Sequence, residues 1–313
     1  MDPFDLASLA PKEAPLDEMR EALPFSFARP AEALAESIAS LGLLRPLLVQ
    51  SQGPRLRLLA GNLRRRALRL LGRTSAPAVF LPPQAPALAM ALADNRERPV
   101  NPAETALVWR RLAETLGEGQ AGKLAGFLGL DRSKKLRDLN FQAAALPPRG
   151  LGALADGRLD LAAAARLARW PAADQEAALD LFEALRPSQS NRRAWLDWLE
   201  DLGRREGRSP AGILADADFQ ALFADQGDRA EAKARELLFR RRHPELAELR
   251  QKRAEQLRAL GLPPAARLAL DPSFEDFNYR LTLTFTDLTD FQALAGLVGG
   301  LGLRPEFRAL LDD

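Results

Sequence analysis

The sequence predicts a mostly helical α+β protein, with a small α/β domain near its N-terminal end, an all-helical middle and a second small α/β domain at its C-terminal end. Three observations support this fold class. Short apolar runs separated by turn residues occur within the first hundred residues. Helical periodicity then extends without strand signals over 119–200. Alternating strand patterns return at 267–270 and 278–285.

The N-terminal elements follow from local signals in chain order. Proline in the first turn and Gly42 after the last residue predict a helix over 30–41. Asn62 is expected to cap a helix that ends near Leu71. The remaining predicted elements are strands at 46–50, 55–59 and 77–81, and helices at 86–94 and 102–116.

Later in the chain, prolines separate the predicted helices. Pro244 is expected to break or kink the helical run over 229–260. A short helix is expected over 288–298, after the last strands. Composition and element pattern divide the chain into five predicted segments: an acidic flexible leader (1–24), a small α/β domain (25–116), an all-helical domain (117–200), a helical basic connector (201–262) and a small C-terminal domain (263–313).

The composition excludes several classes of protein. The 313 residues include no cysteine and one histidine, which excludes disulfides, Cys-ligated zinc, iron–sulfur clusters and multi-histidine metal sites. No apolar run approaches the roughly 20 residues that span a bilayer, so we expect a cytoplasmic protein without a membrane partner.

Positive charge is concentrated in blocks, although the net charge is only +2. Residues 37–93 contain eight arginines and no acid, and further basic blocks occupy 117–150 and 229–260. Such asymmetry is typical of surfaces that bind polyanions. The alternative is a solvated, arginine-rich surface that reflects a GC-rich coding sequence.

Two constellations fit a nucleoside triphosphate and its metal ion. A strand, Gly61 and a helix that opens with Arg64, Arg65 and Arg66 could cradle phosphate, although a solvated basic helix face is the alternative. Asp94-Asn95-Arg96-Glu97-Arg98, followed by Asn101-Pro102-Ala103-Glu104, offers oxygen ligands for Mg²⁺, although a helix end rich in turn-forming residues is the alternative.

A third constellation predicts a helix-turn-helix. An apolar helix ends at Gly129 and a second helix opens after a short turn. Polar residues at the start of that second helix would read bases, while its cations would contact phosphate. A helical hairpin that binds nothing is the alternative. The candidate DNA-binding residues are Arg132, Ser133, Lys134, Lys135 and Arg137.

In this order, the three constellations resemble the ParB family of chromosome and plasmid partition proteins over roughly residues 28–170. The G-L-x-x-P pattern of the family appears as Gly42 to Pro46, and its G-E-R-R-x-R-A motif as Gly61 to Ala67. Its E-N-x-x-R motif appears as Asp94 to Arg98. The first motif arginine is Leu63 here, and the glutamates of the two motifs are Asn62 and Asp94.

The resemblance implies a dimer that uses CTP and Mg²⁺ to close a clamp around DNA and acts with a ParA-type ATPase at the nucleoid. Gly61, Arg64 and Arg66 would contact the triphosphate, Asn95 would help to bind Mg²⁺, and Asp94 would occupy the position that promotes hydrolysis. The full candidate nucleotide set is Gly61, Asn62, Arg64, Arg65, Arg66, Asn95 and Arg98.

Two alternatives remain open. The chain could be a ParB-like transcription regulator or structural DNA-binding protein without nucleotide turnover, and the sequence leaves weak CTPase activity undecided. ParB-like folds also occur in nucleases and kinases, but the helix-turn-helix argues against a pure enzyme.

Overall fold

The computed structural model describes residues 9–126, 133–224, 229–270 and 279–312. The chain divides into two compact units, Met1–Glu231 and Ala232–Asp313. A small mixed sheet lies near the N-terminus, helices follow it, and a second small sheet lies near the C-terminus. This arrangement confirms the predicted fold class. None of the helices in the described ranges combines the length and apolar character needed to cross a membrane.

The N-terminal sheet has five strands in the order β1-β5-β3-β4-β2. β1 is antiparallel to β5, β5 is parallel to β3, β3 is antiparallel to β4, and β4 is parallel to β2. The strands are β1 (Lys12–Pro15), β2 (Met19–Glu21), β3 (Leu47–Gln52), β4 (Arg55–Ala60) and β5 (Ser75–Leu81).

The sequence predicted a flexible leader over 1–24, but two strands at the edges of the sheet, β1 and β2, lie in this segment. Ala14, Leu16 and Met19 have no exposed surface, because β1 and β2 bring them into the core of the sheet. The acidic side chains between them stay near the surface. Burial of these apolar residues, rather than local propensity, therefore orders this part of the chain.

Four helices complete the N-terminal α/β part: α1 (Glu32–Leu41), α2 (Asn62–Leu70), α3 (Ala87–Asp94) and α4 (Pro102–Leu116). Their positions match the predicted helices. The predicted cap at Asn62 is wrong, because Gly61 is the N-cap residue and no side chain caps α2. The Asn62 side chain donates instead to the carbonyl of Leu23, over 2.8 Å.

The described residues of the middle region contain only helices. They are α5 (Glu118–Ala125), α6 (Lys134–Ala143), α7 (Pro148–Ala155), α8 (Leu161–Leu167), α9 (Ala172–Leu185), α10 (Gln189–Glu206), α11 (Pro210–Leu214) and α12 (Ala217–Ala224). α6 packs against both α4 and α8.

Helix α13 (Ala230–Arg242) crosses from the first unit into the second. It ends just before Pro244, which opens the next helix as expected, because proline is tolerated in a first helical turn. The second unit continues with α14 (Pro244–Ala259), the antiparallel strands β6 (Ala266–Leu270) and β7 (Tyr279–Leu283), α15 (Leu288–Leu301) and α16 (Pro305–Asp312). The sequence patterns did not predict α16.

If the leader is part of the core, Leu16→Ala should lower the free energy of unfolding by about 2–5 kcal/mol, because it removes a fully buried side chain. Leu44→Ala is the matched control, since Leu44 is 78% exposed and its loss should change stability by about 0.5 kcal/mol at most. Urea unfolding followed by tryptophan fluorescence measures both. Equal effects would mean that β1 and β2 do not hold the leader in solution.

Candidate functional site

A cavity of about 300 Å³ is lined by residues from four separated places in the sequence. Six of the predicted site residues line it: Gly61, Asn62, Arg64, Asp94, Asn95 and Arg98. The cavity wall also includes Phe25, Leu34, Leu59 and Leu63, which sequence reasoning did not include in the site. The structure thus brings the phosphate-binding and metal-binding constellations together.

Gly61 is required where β4 turns into α2. Its φ is +100°, and a Cβ at this position would lie 2.6 Å from Cδ2 of Leu47. A larger residue would therefore strain the backbone and collide with the core. The turn leaves the N-terminus of α2 beside the cavity, where the helix dipole favours an anion.

Arg64 is held at the cavity by neutral groups. Its Nη1 donates to the carbonyl oxygens of Arg45 and Pro46, over 2.8 and 2.7 Å. Burial lowers the pKa of Arg64, and the negative charge of Asp94 opposes that shift. Because arginine stays protonated in proteins, the cavity keeps a fixed cation.

Arg65 and Arg66 do not line the cavity. Nη1 of Arg65 donates to the carbonyl of Met19 over 2.6 Å, and its guanidinium forms an ion pair with Glu21 at 3.5 Å. Burial lowers the pKa of Arg65, and the charge of Glu21 opposes this. Arg66 donates to the carbonyl of Ser26 over 2.8 Å. Successive residues of a helix point about 100° apart, so three adjacent arginines reach three different places.

Glu104 does not line the cavity, but it holds Arg98, which does. Its side chain has no exposed surface and accepts hydrogen bonds from Arg29, at 2.8 and 2.7 Å, and from Arg98, at 3.0 Å. It also closes a capping box with Asn101 at the start of α4. The side-chain hydrogen bond to Glu104 raises the pKa of Arg29.

Asn95 links this network to the cavity. Its Oδ1 accepts from Nε of Arg98 over 2.8 Å, and its Nδ2 donates to the carbonyl of Ala91 over 2.8 Å. An amide oxygen has two lone pairs, so one remains for a cation. Within the described residues, no three His, Asp or Glu side chains are grouped to hold a metal ion.

Asp94 and Asn95 nevertheless fit the way in which Mg²⁺ is held beside phosphates. Both line the cavity, and each carries a side-chain oxygen. This cation typically takes one or two protein oxygens and fills its other positions with water and substrate. The donor set therefore suits a metal ion that arrives with a phosphate ligand.

The predicted recognition helix is α6. Lys134 and Lys135 lie exposed in its first turn. Ser133 caps the helix, because its Oγ accepts from the amide of Leu136. Arg137 is 22% exposed and forms an ion pair with Glu118 of α5, at 3.5 Å. The turn itself, including Arg132, lies outside the described residues.

The sequence patterns did not single out Arg29, and they placed Glu104 only in the run after Arg98, not among the predicted site residues. The Asn101-Pro-Ala-Glu104 pattern is a readable capping box. No local signal pairs Glu104 with Arg29, because 75 positions separate them.

Glu104→Gln should lower the free energy of unfolding by about 2–4 kcal/mol, because it leaves two cations without their buried carboxylate, while their partial exposure moderates the loss. Glu114→Gln in the same helix is the control. Its exposed ion pair with Arg110 should contribute about 0.5 kcal/mol or less. Chemical denaturation compares the two, and similar losses would mean that the Glu104 network does not hold this part of the fold.

Comparisons with known proteins agree with the geometry. Residues 22–96 match the family described as the ParB N-terminal domain. The chain is 33% identical over 130 residues to the chromosome-partitioning protein ParB of Myxococcus xanthus. The aligned region covers 41% of this chain and 43% of that protein. The chain is 38% identical over 128 residues to the chromosome-partitioning protein Spo0J of Thermus thermophilus, covering 40% and 46%. The chain thus spans less than half the length of these relatives.

Two solved structures of C-terminally truncated ParB from Caulobacter crescentus are also similar. The complex with the centromeric parS site is 23% identical, with a TM-score of 0.31, and covers 59% of this chain and 98% of that chain. The complex with CTP-gamma-S is 24% identical, with a TM-score of 0.24, and covers 50% and 91%. The family match over 22–96 contains the strands β3 to β5, the helices α1 to α3 and the residues around Gly61 and Asn95. This part of the chain therefore resembles a ParB N-terminal domain.

Proposed function

We propose that the chain is a dimeric DNA-binding partition protein that closes as a CTP-regulated clamp. The observation that carries the proposal is the cavity that joins Gly61, Arg64, Asp94, Asn95 and Arg98, all but the last within the segment that matches the ParB N-terminal domain. The relatives named above are chromosome-partitioning proteins, which supports the same role here.

The chain's own groups suit a triphosphate. Residues at the start of α2 line the cavity, where a helix N-terminus favours an anion, and Arg64 offers a charged fork for phosphate oxygens. Arg98 adds a second cation, which Glu104 and Asn95 hold in place. CTP is the proposed nucleotide, and Mg²⁺ on Asn95 would neutralise its phosphate charge.

The DNA contact is proposed for α6. Lys134 and Lys135 are exposed in its first turn, where cations can reach phosphate. Arg137 would add a third contact if it exchanged its pairing with Glu118 for a phosphate. The two constellations lie in one compact unit, so nucleotide binding and DNA binding can influence each other.

Dimerisation through 263–313 belongs to the same proposal. β6 and β7 form a two-stranded sheet, and among the described residues neither strand has a second neighbour. Phe285 and Leu288 beside it are 51% and 69% exposed. A second copy could cover this apolar surface. A ParA-type ATPase as partner and a cytoplasmic, nucleoid-associated location follow from a partition role.

One observation favours a second candidate. Leu63 lines the cavity where the family motif has an arginine, and Asp94 stands in place of glutamate with a side chain one methylene shorter. With one cation fewer and a carboxylate that reaches less far, the cavity suits a ParB-like regulator or structural DNA-binding protein that does not hydrolyse nucleotide. Release of phosphate from CTP in the presence of specific DNA separates the two, since the regulator would release none.

Arg64→Gln should weaken CTP binding at least about tenfold, because it removes a charged phosphate contact. Arg65→Gln is the matched neighbour and should leave the affinity unchanged, because its side chain is committed to Met19 and Glu21. Isothermal titration calorimetry with CTP, GTP and Mg²⁺ measures this. No binding of CTP by the unaltered protein, with or without DNA, would overturn the clamp, and an equal loss in both variants would overturn the assignment to Arg64.

Lys134→Ala combined with Lys135→Ala should weaken DNA binding and reduce the slope of log affinity against log salt by about 1–2, because fewer counterions are released. Arg204→Ala combined with Arg205→Ala on α10 removes the same charge as a control and should leave that slope nearly unchanged. Fluorescence anisotropy on DNA captured by the protein supplies the measurement. An unaltered slope in the lysine variant would contradict the assignment of α6.

A further inference from the structure

A second cavity, of about 460 Å³, lies in the helical middle of the chain between α7, α9 and α10. Buried apolar side chains form part of its lining, with Leu159, Leu179 and Phe182 only 1%, 5% and 8% exposed. The charged side chains of the lining are four arginines and one glutamate: Arg149, Arg158, Arg186, Arg192 and Glu183. The cavity thus combines an apolar floor with an excess of positive charge.

Two of the four arginines are already paired. Arg149 binds the carboxylates of Glu176, Asp180 and Glu183, at 2.8, 2.7 and 2.7 Å. The same hydrogen bond to Arg149 lowers the pKa of Glu183. Arg158 pairs with Asp156 at 3.0 Å. These contacts account for both charges without any ligand.

The other two arginines have no such contacts. Arg186 and Arg192 make no side-chain hydrogen bond or ion pair with any described residue, and Nε of Arg192 is buried without an acceptor. A buried N–H needs an acceptor, and an anion in this cavity could supply one for Nε of Arg192. Arg186 ends α9 with φ at +46°, a conformation in which glycine would be less strained.

The lining selects the class of anion. A carboxylate is one of the anions that match the planar fork of a guanidinium. The apolar floor gains from an apolar body, which a DNA phosphate does not provide. We propose that this cavity binds a small organic monocarboxylate with an apolar or aromatic body, held by Arg186 and Arg192. This site is independent of the nucleotide cavity and of the proposed partition role.

Ligand-observed NMR on the full chain tests the proposal, with 3-phenylpropionate and 4-methylpentanoate as probes and their primary amides as neutral controls. The acids should show saturable binding and the amides should not. Arg192→Gln and Arg186→Gln should each weaken binding at least about tenfold, through loss of charged hydrogen bonds. Arg193→Gln is the adjacent control and should bind normally, because Arg193 pairs with Asp160 instead. Thermal unfolding verifies that each variant is folded.

A peptide arm distinguishes the source of the carboxylate. A pentapeptide that ends in phenylalanine is compared in its free-acid and amidated forms. Tighter binding of the free-acid peptide than of 3-phenylpropionate would support the site and make a polypeptide C-terminus its ligand. Weaker binding would support the site and favour the small acid.

Three results would overturn the proposal. The first is no saturable binding of any acid to the unaltered protein, and the second is equal binding of acids and amides. The third is loss of duplex DNA affinity in the Arg186 and Arg192 variants without any carboxylate binding, which would make these arginines phosphate contacts.

Discussion

The buried carboxylate of Glu104 is the interaction on which the nucleotide cavity depends. A carboxylate without exposed surface is stable only when neighbouring groups neutralise and hydrogen-bond it. Arg29, Arg98 and the capping box with Asn101 do so together. The segment before α1, the turn after α3 and the start of α4 must therefore adopt one arrangement. Arg98 then holds Asn95, so a residue that does not line the cavity sets its geometry.

The partner of each arginine separates those that maintain the fold from those that can bind a ligand. With 44 basic and 42 acidic residues, composition cannot make this distinction. Arg65 has Glu21 as a partner and Arg149 has three carboxylates, so their charges are already matched. Among the described residues, Arg64 donates its side-chain hydrogen bonds to carbonyl oxygens, which fix its position without neutralising its charge. Arg192 forms no ion pair with a described residue, although its Nε–H, like that of Arg65, is buried without an acceptor there.

Local signals predicted most of the helices, because proline, glycine and apolar spacing act within a few residues. The helix over 102–116 and the break at Pro244 are confirmed for that reason. Motif spacing also predicted residues that meet around Gly61. Sequence reasoning failed where contacts between residues far apart in the chain determine the local structure. The strands β1 and β2 are short and rich in charge, and only pairing with β5 and β4 orders them.

Hydrogen–deuterium exchange on the full chain, with and without CTP and Mg²⁺, tests most directly whether the cavity around Gly61 is the nucleotide site. The account predicts slower exchange of the amides at 61–66, where the start of α2 would meet phosphate, and at 94–98, where Asn95 and Arg98 would become less mobile. Amides of α14 to α16, which lie in the second unit, serve as the internal reference, because their exchange should not change when CTP binds at the cavity. Exchange unchanged in both segments at saturating CTP, or protection confined to other parts of the chain, would contradict the account.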